Sequence, residues 1–240
     1  NSKINNMPKK EEIIADVSLY SSMSVLTQVI TLAAAILTRR FLGPVQTGVW
    51  ALLQIILLYA GYLTLGITAV VSREIPFYQG QGNHQKVEEI KNLVYSFSTA
   101  TAWIVSAGCV IYALLARSRL RPELFFGLLF VSVLIMLQRY NNLFISFLRG
   151  YKLFSLAAKQ MIFSAVVNAI LVILFSYQFK VYGFMAAMCL SFLFNIFYVK
   201  IHHAFQFKWY FHLSKIGGLI QYGFPLSVIS MLSSFFLTID

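Results

Sequence analysis

The sequence predicts an all-α integral membrane protein that contains six transmembrane helices and the beginning of a seventh. The mean hydropathy is +0.74, and only 11% of the 240 residues are charged, against 59% that are hydrophobic. Apolar residues also occur in runs of about 20, the length that a helix needs to cross a bilayer core of about 30 Å. Composition and run length together exclude an ordinary soluble globule.

Seven apolar runs define the predicted spans in chain order. They cover residues 17–38, 49–71, 92–116, 124–148, 160–179, 181–199 and 216–239. Arg139 is the one charged residue inside a run, and Lys180 alone separates the fifth run from the sixth. A turn is predicted at Lys180 because Tyr177 and Tyr182 are typical of a membrane interface and Gly183 permits a turn.

The distribution of basic residues predicts the orientation, because short cytoplasmic loops are enriched in Lys and Arg. Twelve basic residues precede the first span or lie in even-numbered loops, and six lie in odd-numbered loops. This bias predicts a multi-pass protein of the cytoplasmic membrane whose N-terminus lies on the cytosolic side. Residues 1–16 contain no short apolar core followed by a cleavage site, so they are predicted to form a cytosolic tail and not a signal peptide.

Residue types and spacings argue against several other classes of protein. The basic residues are dispersed and form no patch interleaved with aromatics, so nucleic acid is not an expected partner. Cys109 and Cys189 lie in separate apolar runs without CxxC spacing, which gives no support to a metal site or a disulfide framework. Acidic residues lie in the tail, in loops or at helix ends, and the histidines lie in predicted loops. We therefore expect no metal, no cofactor and no enzymatic activity.

A polar stripe on the fourth predicted helix is the strongest candidate for a functional site. Arg139, Asn142, Ser146 and Arg149 recur at helical spacing, so they share one face. An arginine at mid-helix costs about 2.5–3.5 kcal/mol on insertion scales and should face the bundle interior or a watery cavity. Arg139 either lines a cavity and pairs with a phosphate, or snorkels to the headgroups and neighbouring carbonyls. Its distance of about 15 Å from the interfacial Arg149 favours the cavity.

Other polar residues inside the spans extend the predicted substrate cavity. Gln28 belongs to a stripe along the first helix whose serines and threonines are more typical of helix packing. Lys159 and Asn168 contribute isolated polar groups on the fifth helix. The predicted cavity residues are Arg139, Asn142, Ser146, Gln28, Lys159 and Asn168.

Four segments resemble a known family of transporters. They are RFLGPVQTGVWALLQ (40–54), SREIPFYQGQGNHQKVEEI (72–90), LRGYKLFSLAAKQMIF (148–163) and YGFPLSVISMLSSFFLTID (222–240). In this order and at these spacings, the segments are similar to the polysaccharide exporter family of the multidrug/oligosaccharidyl-lipid/polysaccharide (MOP) superfamily, the O-antigen and exopolysaccharide flippases. The matching positions are Arg40, Gly43, Pro44, Gly48, Arg73, Glu74, Gly150, Pro225 and Asp240.

The resemblance implies a MATE-like transporter with two six-helix lobes. Residues 17–205 would form the N-terminal lobe, and residues 206–240 the interlobe linker and the first helix of a second lobe, so we expect the chain to continue past Asp240. The implied function is alternating-access export of a polyprenyl-diphosphate-linked oligosaccharide for cell-surface polysaccharide biosynthesis. Membrane lipid and other polysaccharide-assembly proteins are the further partners that it implies.

Two alternative functions remain open at this point. A drug/cation antiporter of the same superfamily would need acidic cavity residues for cationic cargo, and the basic Arg139 disfavours it. A membrane-bound glycan polymerase or acyltransferase would need a catalytic histidine or carboxylate in a long external loop, and the sequence offers no such candidate.

Overall fold

The computed structural model of the protein describes residues 10–239, and it describes side chains from residue 18 to residue 233 apart from Leu213, Leu226 and Ser230. The described residues form six α-helices and no strands. The helices are α1 (Lys10–Tyr62), α2 (Ile67–Gly80), α3 (His84–Leu115), α4 (Pro122–Gly150), α5 (Phe154–His202) and α6 (Leu213–Ile239). Within the described part of the chain, every helix except the short α2 is long and apolar enough to cross a membrane.

Helix α5 is a hairpin of two spans that reverses at Lys180. This residue has non-helical backbone angles, φ 57° and ψ −134°. Phe163 stacks on Tyr198 with ring centroids 4.5 Å apart, and the Asn195 Nδ2 donates to the Ser164 Oγ at 2.5 Å. Because these partners are nearly equidistant from Lys180 along the chain, the two halves run antiparallel. The turn predicted between the fifth and sixth spans is therefore present at the predicted residue.

Helix α1 reverses in the same way at Gly43, whose φ of 72° lies in the left-handed region that glycine tolerates. Its two halves run alongside the two halves of α5. Ring contacts that show this parallel arrangement join Tyr20 to Phe154, Phe41 to Tyr177 and Trp50 to Phe184. The Gln46 Oε1 accepts from the Val181 N–H at 3.1 Å and so binds one turn to the other. Because α1 and α5 each contribute two spans, the five long apolar helices in the described part of the chain give seven spans.

The second predicted span, residues 49–71, is not a continuous helix. Helix α1 ends at Tyr62, a turn occupies residues 63–66, and α2 begins at Ile67. Leu65 and Gly66 have φ values of 51° and 71°, which a helix does not contain. The prediction was wrong here because run length measures apolar content and does not detect a break within it. Gly61 and Gly66, which have low helix propensity, mark the interruption.

The linker between α5 and α6 is extended and is held against α3. Phe207 stacks on Tyr95, with ring centroids 4.3 Å apart and an interplanar angle of 5°. The Lys208 N–H donates to the Asn92 Oδ1 at 2.9 Å, and the Tyr210 N–H donates to the Ser96 Oγ at 2.8 Å. The Asn92 and Ser96 side chains thus accept from backbone N–H groups of the linker, which have no hydrogen-bond partner within a helix. These bonds help to hold α6 against α2 and α3.

Candidate functional site: a cavity around Arg139

Arg139 is buried in the middle of α4, with only 6% of its surface exposed. Its Nη2 donates to the carbonyl oxygen of Ala60 at 2.7 Å, and its Nη1 donates to that of Gly61 at 3.4 Å. These carbonyls belong to the last turn of α1, where the break at residues 63–66 leaves them without a backbone N–H partner. The Thr64 hydroxyl also donates to the Gly61 oxygen, at 3.1 Å. The guanidinium therefore caps the negative end of a broken helix, which offsets part of the cost of burying its charge.

Arg139 retains hydrogen-bonding capacity that the protein does not use. A guanidinium carries five N–H donors, and the contacts with Ala60 and Gly61 engage two of its three nitrogens. The Nε is buried and has no hydrogen-bond partner among the described residues. A buried charged donor without a partner is costly. The unused N–H donors of Arg139 favour the binding of a polar or anionic ligand beside it.

A cavity of about 320 Å³ lies next to Arg139, between the end of α1, the break, α2, α4 and α6. This volume is at the lower end of the range of small-molecule sites. The lining residues with polar side chains are Tyr62, Thr64, Thr68, Gln138, Arg139, Asn142 and Ser227. No carboxylate lines it in the described part of the chain, so Arg139 supplies its only formal charge.

The break and α6 meet at a backbone contact between two glycines. A Cβ atom placed on Gly223 would lie 2.7 Å from the carbonyl carbon of Gly66 and 3.0 Å from the carbonyl oxygen of Leu65. Only glycine permits so close an approach. The contact brings Ser227, one turn further along α6, to the wall of the cavity.

The structure brings together only some of the predicted cavity residues. Arg139 and Asn142 line the cavity. Ser146 is buried further along α4 and does not line it, while Gln28 is exposed on the first half of α1. Asn168 is half-buried in the middle of the first half of α5, and Lys159 lines a second cavity at the end of the bundle.

Several cavity groups were not predicted from the sequence. They are the carbonyls of Ala60 and Gly61 and the side chains of Tyr62, Thr64, Thr68, Gln138 and Ser227. The available signal was the glycine-interrupted stretch from Gly61 to Gly66, because broken helices at membrane depth often mark a binding site.

The family-motif positions lie mainly at turns and at close packing contacts. Gly43 and Pro44 form the α1 turn, and Arg40 and Gly48 are exposed near it. Arg73 lies 3.8 Å from Glu74 and over the ring of Tyr222 on α6. A Cβ on Gly150 would lie 3.0 Å from the Val71 carbonyl oxygen, so this glycine allows α4 to pack closely against α2. Pro225 lies within α6, and Asp240 lies outside the described residues.

The described fold is similar to that of solved MATE transporters. The crystal structure of a MATE point mutant matches with a TM-score of 0.76 and 19% identity, over 98% of this chain and 56% of that one. An outward-facing multidrug resistance MATE family transporter of the MOP superfamily matches with a TM-score of 0.69 and 20% identity, over 93% of this chain and 54% of the other. A MOP superfamily transporter from Pyrococcus furiosus, whose binding pocket is described as having reverse polarity, matches with a TM-score of 0.69 and 17% identity, over 95% and 56% of the two chains.

No protein-family model matches the chain, and no curated protein matches it. The chain spans little more than half the length of the solved transporters that it resembles. The fold is therefore that of one lobe of a MATE-like membrane transporter with the beginning of the next, which confirms the predicted fold class. The protein is a multi-pass membrane protein.

Proposed function

We propose that this chain is the N-terminal part of a lipid-linked oligosaccharide flippase of the polysaccharide exporter family. The observation that carries the proposal is the charge of the central cavity, where the buried Arg139 has no carboxylate beside it in the described part of the chain. A cationic cavity of this kind suits an anionic cargo. The diphosphate of a polyprenyl-linked sugar is such a cargo, and guanidinium pairs with phosphate oxygens in a bidentate geometry.

The cavity lining supplies the groups that a sugar diphosphate would use. The N–H groups of the Arg139 guanidinium that are not used by the carbonyls of Ala60 and Gly61 would donate to phosphate oxygens. The amides of Gln138 and Asn142 and the hydroxyls of Thr68 and Ser227 would bind the remaining phosphate oxygens or the first sugar. The polyprenyl tail would stay in the surrounding lipid, because the cavity is too small to hold it.

The position of the cavity fits alternating access. Ser227 belongs to α6, the first helix of the expected second lobe, whereas the other lining residues belong to the first lobe. A site formed by both lobes at a broken helix changes its exposure when the lobes rock against each other. The protein would work in the cytoplasmic membrane with its N-terminus in the cytosol, beside other polysaccharide-assembly proteins.

A drug/cation antiporter is the second candidate function. The multidrug resistance MATE transporter with the same fold supports it, and the fold does not separate the two functions. A cationic drug in this cavity would meet the positive charge of Arg139 without a compensating carboxylate in the described lining. A glycan polymerase or acyltransferase gains no support from the cavity, whose described lining contains no histidine and no carboxylate.

The test is transport by the purified full-length protein in proteoliposomes. We expect a fluorescent polyprenyl-diphosphate oligosaccharide to cross the bilayer and a cationic dye such as ethidium not to be extruded under a sodium or proton gradient. Empty liposomes are the matched control. Dye extrusion without movement of the lipid-linked sugar would contradict the flippase function and support the antiporter.

A further inference from the structure

A second cavity, of about 330 Å³, lies at the end of the bundle opposite the turns at Gly43 and Lys180. The turn between α4 and α5, the start of α5 and the last turn of α5 form its wall. The lining residues are Lys152, Leu153, Phe154, Ser155, Leu156, Lys159 and His202. Three of them are basic and, in this described lining, none is acidic. The distribution of basic residues predicts that this end of the bundle is cytosolic.

The two lysines of this cavity have no carboxylate partner within the described part of the chain. The acidic residues at the start of α3, on the same end of the bundle, are already paired. Glu88 is bound by Lys91 at 2.6 Å, and Glu89 by Lys86 at 3.3 Å. Lys152 and Lys159 are exposed, so both ammonium groups are available to an external anion.

The backbone beside the cavity adds to its positive potential. Lys152 has a φ of 59°, a left-handed conformation that is uncommon for lysine and closes the turn before α5. Leu153, the N-cap of α5, makes no side-chain capping bond, and the first turn of the helix contains no acidic residue. The N–H groups of that turn therefore lie beside the two lysines without a side-chain acceptor.

The other groups of the cavity match the headgroup region of a membrane. The His202 Nδ1 lies 2.9 Å from the Tyr198 carbonyl oxygen, which can only accept, so the Nδ1 donates and the Nε2 remains available. Tyr198 stacks on His202 and on Phe163, a pattern typical of an interfacial aromatic belt. The apolar lining residues Leu153, Phe154 and Leu156 provide a surface that a small soluble anion does not need.

We propose that this cavity binds the phosphate of an anionic phospholipid from the surrounding leaflet. Lys152 and Lys159 bind the phosphate, and the apolar residues at the start of α5 contact the acyl chains. Basic pockets between helices on the cytosolic side of a membrane are suited to lipid headgroups. The site is separate from the Arg139 cavity and would bind lipid whichever cargo the transporter carries.

The test is lipid binding by the purified full-length protein in detergent, without any glycan substrate. Native mass spectrometry would compare phosphatidylglycerol with phosphatidylcholine. The double variant Lys152→Gln/Lys159→Gln should bind phosphatidylglycerol about 25-fold more weakly, at about fivefold for each basic residue. The matched control Lys200→Gln/Lys208→Gln removes two exposed lysines that do not line the cavity and should stay within about twofold of wild type. Lys152→Arg/Lys159→Arg should retain binding.

Three results would overturn the proposal. The first is equal affinity of the wild-type protein for the two lipids. The second is unchanged phosphatidylglycerol affinity in the double glutamine variant. The third is full displacement of phosphatidylglycerol by excess inorganic phosphate, which would identify a soluble anion as the ligand. If the double variant does not fold, as judged by its melting temperature, Lys152→Gln and Lys159→Gln are tested singly, each with an expected loss of about fivefold.

Discussion

Replacing Arg139 by leucine should lower export by about tenfold or more while leaving the protein folded. The substitution removes two charged hydrogen bonds to the carbonyls of Ala60 and Gly61, each worth about 1.5–3 kcal/mol, with the 3.4 Å contact at the weaker end. It also removes the cost of holding an arginine at mid-helix, about 2.5–3.5 kcal/mol. These terms nearly cancel, so the net change in stability should be within about 2 kcal/mol.

The loss of the substrate contact has no such compensation. One charged hydrogen-bonded contact with a phosphate is worth about 1.5–3 kcal/mol, which corresponds to a defect of about tenfold or more in export. Arg139→Lys should be intermediate, because lysine keeps the charge and loses the bidentate geometry. The assay is restoration of surface glycan in cells that lack their own flippase, with membrane abundance measured by immunoblot.

Arg149 provides the matched control for this experiment. It lies on the same helix but is exposed in the last turn of α4, outside the cavity. Arg149→Leu should leave export close to wild type. Wild-type export by Arg139→Leu at equal protein level would refute the reasoning and leave Arg139 as a residue that only caps the end of α1.

Two further predictions concern topology and packing. Cysteines introduced at Ser2 and Gly82, in a background without Cys109 and Cys189, should resist an impermeant thiol reagent in intact cells, and labelling of both from outside would invert the predicted orientation. Gly223→Ala should lower the melting temperature of the purified protein, because the new Cβ would lie 2.7 Å from the Gly66 carbonyl carbon and overpacking costs about 1–3 kcal/mol. Gly108→Ala, at a glycine with open space around it, is the control, and equal melting temperatures for the two variants would contradict the close contact.

The membrane spans could be predicted because the signal for them is local. A run of about 20 apolar residues is stable in hydrocarbon whatever its neighbours are. The turn at Lys180 was predicted from a single charge between interfacial tyrosines, and the chain reverses there. The helix ends were less accurate. The predicted gap between the first two spans, residues 39–48, is helical except at Gly43. Arg39 and Arg40 end the apolar run but not the helix, because both are exposed and their side chains can reach the interface.

The sequence by itself predicted that α4 carries a polar face that includes the charge of Arg139. It also determined the number of spans and the side chains available to line a cavity. Run length gives the spans and helical spacing gives the polar face, and both signals need only residues close together in the chain.

Only the tertiary structure decided which polar groups share a site. The Arg139 Nη2 and its acceptor on Ala60 are 79 positions apart, and the acceptor is available because α1 breaks between Tyr62 and Ile67. Gln28 and Asn168 have equally suitable side chains but lie elsewhere in the bundle. A polar residue in a span must face away from lipid, and this requirement does not specify its partner. The partner depends on which helices pack together, and here close glycine contacts bring α6 to the break and α4 to α2.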